Sequence, residues 1–219
     1  EIFSGEPTVA GVHALCQTVH LKVAELKADL KPAEILKEFN ELLPADINVI
    51  RVTNAPDTFH ARKDAIARSY LYQISTRRTA FAKPYVWWVK AEHDTKAMSE
   101  AAKMLVGRHN FRSFSELESD SRVSTIVDVH HAEVFTDGDL ICIRMVASHF
   151  LPTMMRRIVG LIAEVGRSDM TYDAFGRLLK FESPVAAKFT APPSGMFLEK
   201  VLYKGDSAPN GKRAPFTIG

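Results

Sequence analysis

The chemistry in this 219-residue chain is concentrated in three short stretches. Pro7-Thr8-Val9-Ala10-Gly11-Val12-His13-Ala14 is built of small residues and a glycine, which suits a loop whose backbone comes close to another group. Leu15-Cys16-Gln17-Thr18-Val19-His20-Leu21 continues it with the period of a strand. A loop feeding a strand presents side chains from a rigid support, and Glu6 is the nearest carboxylate to this one. The second stretch is Phe59-His60-Ala61-Arg62 followed by Ala67-Arg68-Ser69-Tyr70-Leu71-Tyr72-Gln73-Ile74. Tyr70, Tyr72 and Ile74 share one face, which on its own describes a half-buried aromatic strand. In the third, Phe150 to Gly160, Met154, Ile158 and Leu161 form an apolar helix face beside the adjacent Arg156 and Arg157. A buried guanidinium is costly without partners, so these arginines call for an explanation.

The elements around these stretches suit one large domain or two small ones, with enough chain to bury a core. Lys31 to Leu43, with Pro32 in the first turn, spaces Ile35, Leu36, Phe39, Leu42 and Leu43 as a helical stripe, and residues 46–52 alternate as a strand. A short strand is expected over Tyr85–Val89. Asp94 caps a helix over Thr95–Val106 with Met98, Ala101, Ala102 and Leu105 inward, and Phe111 and Phe114 are packing residues. Residues 116–122 form a charged loop. Thr125–Phe135 and Leu140–Val146 are strands joined by a turn at Gly138. Tyr172–Phe181 is a helix capped by Asp169 or Thr171, and Ala191–Leu198 turns into a last strand. The class is α+β, and the polar residues 206–219 are expected to be a tail. Cys16 and Cys142 sit in apolar runs and are expected as buried, reduced thiols of a cytoplasmic protein. No apolar run has the length of a membrane span. A net charge of +2 neither demands nor excludes nucleic acid, and each basic pair (Arg62-Lys63, Arg77-Arg78, Arg156-Arg157, Lys212-Arg213) suits a solvated surface or, gathered around a cleft, a polyanion.

Four motifs in order resemble the TruA-type tRNA pseudouridine synthases. The loop matches Arg-Thr-Asp-Ala-Gly-Val-His-Ala at Thr8, Ala10, Gly11, Val12, His13 and Ala14, with Pro7 in place of the Arg and Val9 in place of the catalytic Asp. Phe-His-Ala-Arg with Ala-Arg-x-Tyr-x-Tyr-x-Ile, Phe-x-x-x-Met-x-Arg-x-Ile-Val-Gly and Ala-Pro-Pro-x-Gly-Leu-x-Leu follow, the last with Met196 for a Leu. The resemblance, from about Thr8 to Tyr203, implies a mainly antiparallel sheet flanked by helices, with residues 1–205 as the catalytic region and room in it for two subdomains. It implies a strand and helix ahead of the loop, which are not expected within Glu1–Gly5.

By the same resemblance the reaction is conversion of uridine to pseudouridine in the anticodon stem-loop of tRNA, by a homodimer, without cofactor or metal. Tyr70 packs on the target base and serves in proton transfer, and Arg156 pairs with the catalytic carboxylate. Arg62, and more weakly Arg68, touch the RNA backbone, while Gly11, His13 and Met196 belong to the substrate site. Arg157 is assigned to the surface or to RNA. Val9 offers no charge or lone pair. Glu6, three residues earlier, is expected to be displaced from a catalytic geometry, and Asp57 and Asp64 have nothing in their favour. Three readings stand: a synthase by descent, a catalytically silent tRNA-binding protein or RNA-folding aid, and an α+β domain kept for partner contacts.

Overall fold

The computed structural model describes residues 1–23, 31–117 and 123–218. In chain order the strands are β1 (Ile2–Ser4), β2 (His13–Ala14), β3 (Val19–Leu21), β4 (Ala67–Ser75), β5 (Trp87–Trp88), β6 (Gly107–Asn110), β7 (Ile126–Asp137), β8 (Leu140–Ala147) and β9 (Met196–Leu202). The helices are α1 (Pro32–Leu42), α2 (Thr95–Lys103), α3 (Met154–Gly166) and α4 (Tyr172–Lys180). The chain divides into two compact units, Glu1–Gly5 with Thr18–Asp64, and Glu6–Gln17 with Ala65–Gly219.

In the first unit β1 and β3 form an antiparallel pair, and Phe3 stacks on the buried His20 with ring centres 4.8 Å apart. Pro32 opens α1 as expected. The strand expected over residues 46–52 does not form. The Asn40 side chain accepts from the Val49 N–H at 2.7 Å and donates to its carbonyl at 2.9 Å. One amide thus takes the backbone groups that a neighbouring strand would have used.

The second unit is a mainly antiparallel sheet flanked by helices, ordered β2-β9-β4-β8-β7-β6, with β5 also beside β4. Among the described residues only β2–β9 and β4–β5 are parallel. The Asp94 side chain accepts from the N–H groups of Lys96 and Ala97 to start α2, and Gly138, at φ +57°, turns the β7–β8 hairpin. One sheet face carries Tyr70, Tyr72, Ile74, Ile143 and Met145 into a core with Met98 and Leu105 and with Ile158, Leu161 and Ile162 of α3. Gly160 lets the backbone at Phe189 cross α3, since a Cβ there would overlap the Phe189 carbonyl.

All nine residues of β4 are buried, not every second one. The second face is covered by Ala82, Val86, Ala214, Phe216 and Ile218, packed on Leu71, Phe135, Leu140 and Cys142. The segment read as a polar tail is therefore docked. The Ala214 N–H donates to Asp137 at 2.8 Å, the Phe216 N–H donates to Gln73 at 3.0 Å, and Phe216 stacks on Tyr85. Its polar composition hides two apolar anchors.

Arg144 lies under this cover, 1% exposed. Its guanidinium donates to Glu199 (2.9 and 2.7 Å), Glu133 (2.6 Å) and the Gly211 carbonyl (2.7 Å). Between Ser69 and Tyr70 the register of β4 on β9 jumps from Lys200 to Leu198. This bulge sets Glu199 out of the ladder, where it meets both Arg144 and the Ser69 hydroxyl.

Other expectations are corrected. The strand after the loop is broken into β2 and β3, because residues 15–18 carry the chain from one unit to the other. Only Trp87 and Trp88 of the stretch from Tyr85 to Val89 form a ladder, against Ile74 and Ser75. Cys142 is buried, but Cys16, outside any strand, is exposed. The expected loop over 116–122 lies mostly outside the described residues, which end at Leu117 and resume at Val123. Among the described residues no helix is long and apolar enough to cross a membrane.

Burial pushes the Cys142 thiol up to about 12. An aromatic disulfide reagent at pH 8 is expected to titrate one thiol in the native protein and two after denaturation. Arg144→Met strips two partly buried carboxylates of their shared cation and is expected to lower unfolding free energy by about 3–5 kcal/mol, measured by urea denaturation.

Candidate active site

The candidate site is built on the helix-covered face of β4 and on the loop before β2. Arg68 and Tyr70, two apart, share that face. Tyr70 is 4% exposed and meets Phe150 edge to face at 4.7 Å. Tyr72 donates to the Pro192 carbonyl at 2.6 Å, which seats the Pro-Pro-x-Gly turn against the strand. Met196, half-buried, follows that turn opposite Tyr72.

The loop is fixed from the far side of β9. His13 pairs in register with Phe197, and the Leu15 N–H donates to Leu198 at 2.9 Å. His13 Nε2 donates to the Pro84 carbonyl at 2.7 Å, with its ring between Tyr85 and Phe197. Gly11 is at φ +79°, and a Cβ there would come within 3.0 Å of Pro193. This is the close backbone approach that the glycine implied. Val9 accepts from the Val12 N–H at 3.1 Å to close the turn, and its side chain is 63% exposed.

Glu6 lies beside Arg68 and Tyr70, a neighbourhood that its place in the sequence did not suggest. Its Oε2 accepts from Arg68 Nε at 3.1 Å, and its Oε1 lies 3.5 Å from the Tyr70 hydroxyl, which donates to it. Its backbone is clamped at both ends by Gln17, which accepts from the Glu6 N–H at 3.2 Å and donates to the Glu6 carbonyl. Spacing along the chain misleads here because the loop folds back on Gln17. The signal that could have located Glu6 is the i, i+2 pair Arg68/Tyr70, a cation and a hydroxyl on one buried face with a carboxylate still to be found.

The arginines are redistributed. Arg68, 6% exposed, also donates to the carbonyls of Ala65 (3.2 Å) and Ser148 (3.0 Å). It is an interior residue holding Glu6, not an exposed contact for an RNA backbone. Arg156 is half-buried and donates to the Ala191 carbonyl at 2.7 Å, while the Ala191 N–H donates back to its carbonyl at 3.1 Å. It joins α3 to the turn that enters β9. Arg157, expected at the surface, is 8% exposed and donates to Ser115 at 2.5 Å, with Glu116 at 3.4 Å. It stitches α3 to the turn at Arg112–Phe114 and the residues after it. Arg62 is exposed and belongs to the first unit, as do Asp57 and Asp64. The Asp64 carboxylate accepts from the His60 N–H at 2.8 Å. Among the described residues no group of three or more His, Cys, Asp or Glu could hold a metal ion.

Tyr70, Glu6 and Arg68 thus meet on one face of β4, and the Gly11 loop lies along β9. The comparisons give the class. Residues 101–204 match the family described as tRNA pseudouridine synthase. The chain is 36% identical over 207 residues to tRNA pseudouridine synthase A 2 of Bacillus anthracis, spanning 93% of this chain and 82% of that one. It is 38% identical over 200 residues to tRNA pseudouridine synthase A of Rhodopseudomonas palustris (90% and 80%), and 35% over 199 residues to that of Aquifex aeolicus (89% and 79%). The chain belongs to the tRNA pseudouridine synthase A family.

Burial and the Glu6 carboxylate push the Tyr70 hydroxyl far above the usual phenol range. Folding therefore favours its protonated form. The stabilisation this provides is complete below the unfolded-state value of about 10 and is lost as pH rises through the folded-state value. Stability is expected to fall above about pH 10, less steeply in Tyr70→Phe, as read by thermal melts across that range.

Proposed function

We propose that this chain converts uridine to pseudouridine in the anticodon stem-loop of tRNA. The observation that carries the reading is Tyr70, buried against Phe150 with its hydroxyl on a carboxylate, in a chain of this family. The reaction detaches uracil from C1′ at N1 and rejoins it through C5, which is a rearrangement with no net oxidation. Reaching the glycosidic bond needs the nucleotide turned out of its stack. Tyr70 packs on the base and serves in removing the C5 proton. Arg156 orders the Ala191–Gly195 turn, and Met196 and the Gly11–His13 loop border the bound nucleotide. The exposed Arg62 neutralises backbone phosphate. Residues 1–205 act as the catalytic region, in a cytoplasmic homodimer.

A second reading, a silent tRNA-binding protein or folding aid, has one observation in its favour: the exposed Val9 stands where the family has its Asp.

Tritium release from tRNA labelled at uridine C5 decides between them. The chain is expected to release label in proportion to pseudouridine formed, and Tyr70→Phe to slow release by about 10²–10⁴-fold while still binding tRNA. Binding without release, by a filter assay, gives the second reading. Arg62→Ala is expected to weaken binding and to reduce its salt dependence by about one counterion.

A further inference from the structure

The reaction needs an anionic group at C1′, where positive charge develops as the bond to N1 breaks, and Val9 cannot provide one. We propose that Glu6 is the catalytic carboxylate of this chain, with Arg68 as its positioning cation; this rests on the synthase reading above. Four contacts carry the assignment. The Arg68 Nε bond at 3.1 Å orients Oε2, and the Tyr70 hydroxyl at 3.5 Å meets Oε1. Gln17 holds the Glu6 backbone at both its N–H and its carbonyl. Arg68 is in turn fixed by the carbonyls of Ala65 and Ser148, so the guanidinium cannot follow the carboxylate if Glu6 moves. A surface salt bridge has no such support. Here a carboxylate with 16% of its side chain exposed has Oε2 on Arg68 and Oε1 on Tyr70.

The step balances without a co-reactant. A Glu6 oxygen bonds to C1′ as the C1′–N1 bond breaks, and that electron pair goes to the uracil ring. After the ring turns, C5 bonds to C1′ and the ester C–O pair returns to Glu6. Tyr70 takes the C5 proton as its own hydroxyl proton passes to the returning Glu6 carboxylate and on to solvent, and N1 takes one up. Arg68 keeps the departing and returning carboxylate ionised and oriented, the work that the sequence assigned to Arg156.

The test compares the unmodified chain with Glu6→Asp, Glu6→Gln, Glu6→Gln/Arg68→Met and Val9→Asp, each checked for fold by circular dichroism and for tRNA binding by filter assay. The double variant removes the buried cation together with its partner, so that loss of activity is separated from loss of fold. Tritium release by the unmodified chain is expected, with a loss of about 10⁴-fold or more in both Gln variants. Glu6→Asp keeps the charge but withdraws it by one methylene, and is expected to slow release by about 10²-fold. Release at the unmodified rate from any folded Glu6 variant overturns the role of Glu6 and leaves the synthase reading standing. A silent unmodified chain with an active Val9→Asp overturns the role of Glu6 and gives the silent tRNA-binding reading. Silence from both the unmodified chain and Val9→Asp, with tRNA still bound, overturns the synthase reading and the inference together.

Discussion

Burial of the Arg144 guanidinium constrains how the second unit can be assembled. A charge removed from water is tolerated only where its donors all meet acceptors. For Arg144 those acceptors come from β7, β9 and the segment at Gly211, the first far from the other two in sequence. Burial alone would lower its pKa, and the carboxylates of Glu199 and Glu133 more than offset this, so it stays charged. The β9 bulge at Glu199 is the backbone's adjustment to the same demand. With β9 held in that register, β2 and the Gly11 loop take their places along its other edge.

The two faces of the sheet are thus each organised by an interior arginine. On the face covered by the C-terminal segment, Arg144 is saturated by protein and has no open side. On the helix-covered face, Arg68 holds Glu6 beside Tyr70 and leaves that carboxylate partly accessible. Arg144 gathers two carboxylates and a backbone carbonyl, and Arg68 one carboxylate and two backbone carbonyls. The difference lies in how many carboxylates surround the cation.

Much of this was legible in the sequence. The helix stripes, the Asp94 cap, the Gly138 hairpin and the aromatic face of β4 follow from period and local chemistry, which act over a few residues. What escaped depends on distant partners. Residues 46–52 alternate like a strand, but Asn40 reaches them first. Arg157 looks like a surface charge until the carbonyls of Ser113 and Ser115 are brought beside it. The segment after Gly205 has a tail's composition, and only the bared face of β4 reveals why Ala214 and Phe216 are there. Motif spacing put forward Tyr70 and the glycine loop as site residues. It did not bring Glu6 beside Tyr70, because distance along a loop does not measure distance across one.

The parallel pairing of β2 with β9 joins His13 to Phe197. During synthesis the first of these leaves the ribosome long before the second. Until β9 is made, the loop from Glu6 to Val12 has its Gln17 clamp but no strand to lie along. Such late closure between distant segments is slow compared with local helix formation. The nascent chain therefore carries a buried-strand surface without its cover for most of its translation, a window in which chaperones or a partly folded neighbour would find β4 exposed.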